Sequence, residues 1–259
     1  MRVVSLTCSN TEIVCALGCA GLLVGVDDHS DFPEEVVSGL ARVGKDLNVD
    51  PDKVEALRPD LVLASLTVPG HDKVVASLEE RGLPLEVLQP FSIQDTYADI
   101  RRIGELLGAR IRAEELVDSM REVMEDVPLL EGEERPKILV EWWPKPVIGA
   151  GARSWVHDLI EAAGGRNVLE DRDCESTPLT DEELCAAAPD AVVISWCGVP
   201  TSHYRPDVVY RREAWAQVPA VVNRQVHCIS EAYLGRPGPR LVEGVRALRQ
   251  LVQSLQVTP

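Results

Sequence analysis

The apolar periodicity is clearest across residues 112–127, RAEELVDSMREVMEDV. Ala113, Leu116, Val117, Met120, Val123, Met124 and Val127 recur at steps of three and four, while Glu114, Glu115, Asp118, Arg121, Glu122 and Glu125 fill the other face. That spacing predicts one amphipathic helix. Pro128 predicts its end, because the residue before a proline is pushed out of the α region. The chain before and after this stretch carries the same succession of patterns, so the helix is predicted to join two lobes of one plan.

In the first half, Arg2–Leu6 predicts a strand. Ser9-Asn10-Thr11-Glu12 has capping-box spacing, with Ser9 at the N-cap and Glu12 at N3 of a helix that runs to about Leu17 and is closed by Gly18. Leu22–Val26 predicts the next strand, with Asp27–Asp31 at its carboxyl end. Asp50-Pro51 starts a second helix, ending near Leu57. Leu61–Ala64 is a continuous apolar run of the buried parallel type. A helix over Asp72–Glu80, a strand at Leu85–Leu88 and a helix over Ile93–Leu107 complete a β-α-β-α alternation, which implies a parallel sheet covered by helices.

After an acidic joint at Pro128–Pro136, Lys137–Glu141 predicts a strand. A helix over Trp155–Ala163 follows, capped by Ser154 and closed by Gly164-Gly165. Thr180-Asp181-Glu182-Glu183 is a second capping box, and its helix leads to Pro189-Asp190 and the apolar strand Ala191–Ser195. Val226–Ile229 is the last strand. The last helix places Leu241, Val245, Leu248, Leu251, Val252 and Leu255 on one face. Residues 55–65 and 184–195 both read as helix end, Pro-Asp, apolar strand and terminal serine, the mark of a duplicated lobe. The predicted organisation is an N-terminal α/β lobe at 1–109, a linking helix at 110–128 and a C-terminal α/β lobe at 129–259.

The chain has 259 residues, 45% of them hydrophobic, enough for a core in each lobe. Its net charge of −16 argues against nucleic acid or an anionic membrane as partner, since both need a basic patch. No run approaches the about 18 apolar residues of a membrane span, and no signal-peptide h-region follows Arg2. The cysteines are odd in number and scattered, which suits a reducing compartment. The sequence as it stands reads as cytoplasmic, or as periplasmic or cell-surface if a leader has been removed.

In open α/β sheets, ligands bind beyond the carboxyl ends of the strands. That rule selects Thr7–Asn10, Asp27–Asp31, Ser65–Thr67, Trp142–Trp143, Trp196–Cys197 and Glu231–Tyr233. All five tryptophans lie in the second half, and Trp142, Trp143 and Trp196 fall at strand ends. Wide rings there suit a large, partly apolar ligand or, equally, a core. Side-chain alternation sends Trp142 and Trp143 to opposite sides. The helix start at Ser9 and Asn10 offers backbone N–H groups to an anionic or amide oxygen, or is an ordinary cap. The five histidines lack metal-site spacing, so His29 among Asp27, Asp28 and Asp31 reads as a solvated acidic turn, and no metal site or cofactor is expected. Cys8, Cys15 and Cys19 read as inert thiols. Catalytic motifs with a nucleophile elbow, a P-loop or a dinucleotide fingerprint do not occur.

Several segments resemble one family. Val4-Ser5-Leu6, Ser9-Asn10-Thr11-Glu12, Ala16-Leu17-Gly18, Val24-Gly25-Val26-Asp27, Ser30-Asp31-Phe32-Pro33 and Leu57-Arg58-Pro59-Asp60-Leu61-Val62 are similar to the first lobe of substrate-binding proteins of ABC importers for cobalamin, haem and ferric siderophores. Ala163-Gly164-Gly165-Arg166-Asn167-Val168, Pro189-Asp190 and Arg236-Pro237-Gly238-Pro239-Arg240 are similar to the second, and the cobalamin-binding branch is the nearest likeness. The resemblance implies two Rossmann-like α/β lobes with mainly parallel sheets, joined by a single long α-helix, with a ligand clamped between them and no catalysis. It implies that His29 stands at a family tyrosine, Ser65 at a first-lobe tryptophan and Tyr233 at a tryptophan before the Arg-Pro-Gly-Pro turn. The expected ligand-binding set is Ser9, Asn10, His29, Ser65, Trp142, Trp143, Trp196 and Tyr233, and Asp72 is the expected docking carboxylate for an ABC permease. The expected function is non-catalytic binding of a bulky metal chelate (a corrinoid first, haem or a ferric siderophore next) by a monomer acting as importer receptor or cytoplasmic carrier. The alternative is a chelatase-like or other two-lobed α/β enzyme acting on a tetrapyrrole or metal ion.

Overall fold

The computed structural model describes residues 1–126 and 135–256, so Val127, Pro128 and most of the predicted joint lie outside the described residues. The chain divides into two compact units. Unit 1 is Met1–Pro90 with Gln94–Ser119, and unit 2 is Phe91–Ile93 with Met120–Pro259.

Unit 1 contains β1 (Val3–Ser5), α1 (Cys8–Ala16), β2 (Leu23–Val26), α2 (Glu34–Val37), β3 (Ala41–Arg42), β4 (Gly44–Lys45), β5 (Asn48–Val49), α3 (Pro51–Ala56), β6 (Leu61–Ser65), α4 (His71–Glu79), β7 (Leu85–Leu88) and most of α5 (Ile93–Leu106). α6 (Arg110–Glu125) begins in unit 1 and ends in unit 2. The main sheet has the order β3-β2-β1-β6-β7, every pair parallel, and β4 and β5 form a separate antiparallel hairpin. All of β6 is buried, as its unbroken LVLA run demands.

Unit 2 contains β8 (Lys137–Pro144), β9 (Val147–Ala150), α7 (Trp155–Ala162), β10 (Arg166–Asn167), β11 (Ser176–Leu179), α8 (Asp181–Ala187), β12 (Ala191–Ile194), α9 (Pro206–Tyr210), α10 (Pro219–Val222), β13 (Val226–Cys228), α11 (Glu231–Leu234) and α12 (Leu241–Gln256). Its sheet runs β11-β9-β8-β12-β13, with β10 also on β8. The β8–β9 and β9–β11 pairs are antiparallel and the others parallel.

The duplication predicted from Pro-Asp is a repeated clamp. Arg58 and Ala188 both adopt left-handed backbone, with φ of 47° and 46°, just before Pro59-Asp60 and Pro189-Asp190. Asp60 Oδ2 accepts the Arg2 N–H at 2.7 Å and the Asp60 N–H donates to the Arg2 carbonyl at 2.8 Å. Asp190 does the same with Lys137, at 2.7 and 2.8 Å. Each clamp sets the next residue level with its partner strand: Leu61 pairs with Val3, and Ala191 pairs with Ile138.

A second repeat concerns helix ends. Gly18 and Gly164, at φ of 65° and 83°, close α1 and α7 in the conformation glycine tolerates best. An arginine then reaches each end. Arg112 of α6 donates to the Gly18 carbonyl at 3.3 Å, and Arg249 of α12 donates to the Ala162 carbonyl at 3.3 Å. Arg249 also donates to Met124 at the end of α6, at 3.0 Å. These guanidinium groups meet carbonyls that a helix leaves unpaired, at the negative end of its dipole.

Within α6, Ala113, Val117 and Met120 are buried and Leu116, Val123 and Met124 half-buried, the predicted face. One prediction needs correction. The cap of α1 is Thr7, not Ser9: Thr7 is extended and accepts the Asn10 N–H at 3.5 Å, so Ser9 lies inside the first turn and no capping box with Glu12 forms. The Thr180–Glu183 box does form. α2, β3–β5, β9–β11 and α9–α11 were not predicted. All of them are two to five residues long, too short to show a period.

Arg249→Met should remove the bonds to Met124 and Ala162 and lower the unfolding free energy by about 1–3 kcal/mol, read by urea denaturation. An unchanged midpoint would mean that these carbonyls are satisfied without it.

Candidate functional site

At the carboxyl end of the unit 1 sheet, a hydroxyl and carboxylate network holds the β2 loop. Asp27 is fully buried and accepts the His29 N–H at 2.9 Å and the Ser30 hydroxyl at 2.5 Å. Thr11 Oγ1 lies 2.9 Å from the hydroxyls of both Ser5 and Ser30. Arg42 donates to the carbonyls of Asp27 and Ser30 at 2.8 and 2.7 Å. Burial pushes the Asp27 carboxyl above its ordinary pKa. With its backbone pinned in this way, the loop presents the His29 side chain outward, 46% exposed.

Ser9 and Asn10 are buried. Asn10 Nδ2 donates to the Ala64 carbonyl at 3.2 Å, tying α1 to β6. Ser65 is buried too, its hydroxyl 3.0 Å from that of Thr67. Phe32, Leu47 and Val68 are exposed on the loops that follow β2, β4 and β6. Asp72 is exposed in the first turn of α4. Cys15 has its thiol pushed up to about 11 by burial, so it stays protonated. Among the described residues no group of three or more His, Cys, Asp or Glu is placed to hold a metal ion.

The unit 2 strand ends are aromatic. The β8–β9 register slips between Glu141 and Trp143, a bulge that sets Trp142 apart from its neighbours. Trp143 is 42% exposed, whereas Trp142 is half-buried with its ring 6.0 Å from that of Trp155. Trp142 Nε1 and the hydroxyl of buried Ser195 lack a hydrogen-bond partner among the described residues, as do both ring nitrogens of buried His71 in unit 1. Buried polar atoms are seldom left unpaired in native folds. Tyr233 is half-buried, with the Arg240 guanidinium 5.8 Å from its ring centre.

Trp196 occupies a different environment. It is 7% exposed in the unit 2 core, and its Nε1 donates to Glu141 at 2.9 Å. Glu141 has no exposed surface and takes two bonds from Arg212, at 2.6 and 2.9 Å. Arg212 stacks 4.3 Å over Trp215, and Tyr204 donates to the Trp196 carbonyl at 3.1 Å. The structure therefore makes Trp196 part of a buried ion-pair network that supports the strand ends. Glu141 was missed because a lone acid in KILVEWW reads as the polar end of a strand. Its partner Arg212 lies far away in sequence. His71 and Asp46 were missed because neither has a local motif.

The sequence profile of the periplasmic binding protein family matches residues 3–233. An uncharacterised ABC transporter substrate-binding lipoprotein of Bacillus subtilis, YvrC, is 31% identical over 258 residues, covering 97% of this chain and 79% of that protein. A vitamin B12-binding protein of Vibrio cholerae is 24% identical over 246 residues, covering 94% and 86%. The solved structure of the periplasmic heme-binding protein RhuT from Roseiflexus sp. RS-1, in its apo form, aligns with a TM-score of 0.80 at 26% identity over 98% of both chains.

Glu141→Ala should strand the Arg212 guanidinium and the Trp196 indole N–H, and cost about 3–5 kcal/mol of unfolding free energy. Thermal melts would read it. A loss below about 1 kcal/mol would show that the network contributes little.

Proposed function

The chain belongs to the periplasmic binding protein family, and we propose that it is the non-catalytic receptor of an ABC importer, taking a bulky metal chelate as its ligand. A corrinoid is the first candidate, with haem and ferric siderophores next. The B12-binding relative and the haem-binding structural neighbour support that class of ligand. The observation that carries the reading is what gathers at the carboxyl ends of the parallel strands in each unit. Exposed His29 and Trp143 and half-buried Trp142 and Tyr233 stand there, and the Trp142 indole N–H and the Ser195 hydroxyl lack a partner among the described residues. Flat rings and spare polar groups suit a wide, partly apolar molecule with a metal at its centre.

The same reading gives the protein no resident cofactor and no catalytic residue. Asp72, exposed on α4, is its candidate contact with a permease, and its place of work is outside the cytoplasm, as the lipoprotein and periplasmic names of its relatives suggest. No described helix is long and apolar enough to cross a membrane.

Tryptophan fluorescence tests the reading, since all five indoles lie in unit 2. Titration with cyanocobalamin, cobinamide, ferric protoporphyrin and a ferric siderophore should give saturable quenching with at least one of them. Trp143→Ala should weaken that ligand about tenfold, or about 1.4 kcal/mol, and Trp215→Phe should not. Absence of saturable quenching by every chelate would overturn the reading.

A further inference from the structure

The β4–β5 hairpin carries Asp46 at its turn, and two imidazoles face that carboxylate. His29 Nε2 lies 3.6 Å from Oδ1, and His71 Nε2 lies 3.5 Å from Oδ2. The two histidines come from different strand ends: His29 follows β2, and His71 opens α4 after β6. One carboxylate therefore spans both loops. The Leu47 N–H holds it from its own turn at 2.9 Å, and His71 is the main influence keeping the Asp46 carboxyl below its ordinary range. His71 is 3% exposed, and neither of its ring nitrogens has a hydrogen-bond partner among the described residues. Its Nε2 thus faces Asp46 at a distance just beyond a hydrogen bond. Asp27, fixed beneath His29 by the backbone N–H, is the other carboxylate close to this group.

We propose that Asp46 is a positioning residue: its carboxylate accepts the Nε2–H of His29, leaving His29 Nδ1 free to ligate the metal of the bound chelate, while His71 braces the carboxylate from the other side. This rests on the reading that the chain binds a metal chelate at its strand ends. A metal-ligating imidazole usually donates its second N–H to a carboxylate or carbonyl, which fixes ring orientation and raises ligand basicity. The backbone of His29 is pinned from below, but its side chain is exposed and needs that second anchor. Closing 3.6 Å to a hydrogen bond takes only a small rotation of either side chain. The ligand must then offer a metal with an exchangeable axial position. A ferric porphyrin or a corrinoid lacking its lower base does so; a siderophore that fills all six positions does not.

Two measurements on the full chain test this. In ligand-free protein, Asp46→Ala should shift the Nε2 resonances of both His29 and His71 in long-range 1H–15N spectra. No shift at either would overturn the pairing whatever any ligand does. Absorption titration with ferric protoporphyrin or cobinamide should then show a nitrogen-ligated spectrum in the natural protein. It should be lost in His29→Ala, weakened in Asp46→Ala with about tenfold lower affinity, and restored in Asp46→Glu. A nitrogen-ligated spectrum that Asp46→Ala leaves unchanged would overturn the proposal and leave chelate binding intact. Binding without nitrogen ligation would overturn the proposal as well. Failure of every chelate to bind would remove the functional reading itself.

Discussion

The architecture of each unit depends on how two parallel strands are made to start level. Asp60 and Asp190 do this by exchanging two hydrogen bonds with the residue that opens the neighbouring strand. The residue before each proline takes left-handed backbone, at a cost of about 1–2 kcal/mol for a non-glycine residue. That strain turns the chain out of helix α3 or α8 and straight into β6 or β12. A one-residue slip would exchange the two faces of LVLA or AVVI, both buried, and misfit the packing on each side. Because the strands begin in step, their carboxyl ends also finish in step, and the loops that follow are brought together at one edge of each sheet.

The two edges are furnished differently. In unit 1 the loop after β2 is pinned by Asp27, Ser30, Thr11 and Arg42, and it exposes the His29 imidazole and the Phe32 ring. In unit 2 the bulge at Trp142 and the buried Glu141–Arg212 pair support a set of aromatic rings. Rigid backbone beneath exposed side chains is the arrangement expected of a binding surface. Preorganised groups lose little freedom when a ligand arrives.

Much of the scaffold was legible in the sequence because it is periodic or capped. α6 and α12 show full apolar stripes, Asp50-Pro51 and Thr180–Glu183 are local start signals, and β6 and β12 are unbroken apolar runs. The hairpin β8–β9 was not legible. Trp142-Trp143-Pro144 reads as the end of a strand, and nothing local says that the chain turns back and pairs. The cap at Thr7 was hidden because three hydroxyl or amide residues compete within one turn, and only backbone geometry chooses among them. At the candidate site, residue types at strand ends could be named from the alternation of elements. Burial could not, because Ser9, Asn10 and Trp196 are turned inward by contacts with Thr7, Ala64 and Glu141. The Asp46–His71 contact joins two loops with no shared motif, so only the fold reveals it.

A bound ligand should touch the carboxyl ends of the parallel strands and leave their amino ends free. Hydrogen–deuterium exchange with and without the chelate that binds most tightly tests it directly. Slowed exchange is expected only among residues 27–31, 44–49, 65–71, 142–146 and 229–236. Slowed exchange at the opposite strand ends, around residues 58–60, 163–166 and 188–190, with these loops unchanged, would contradict it.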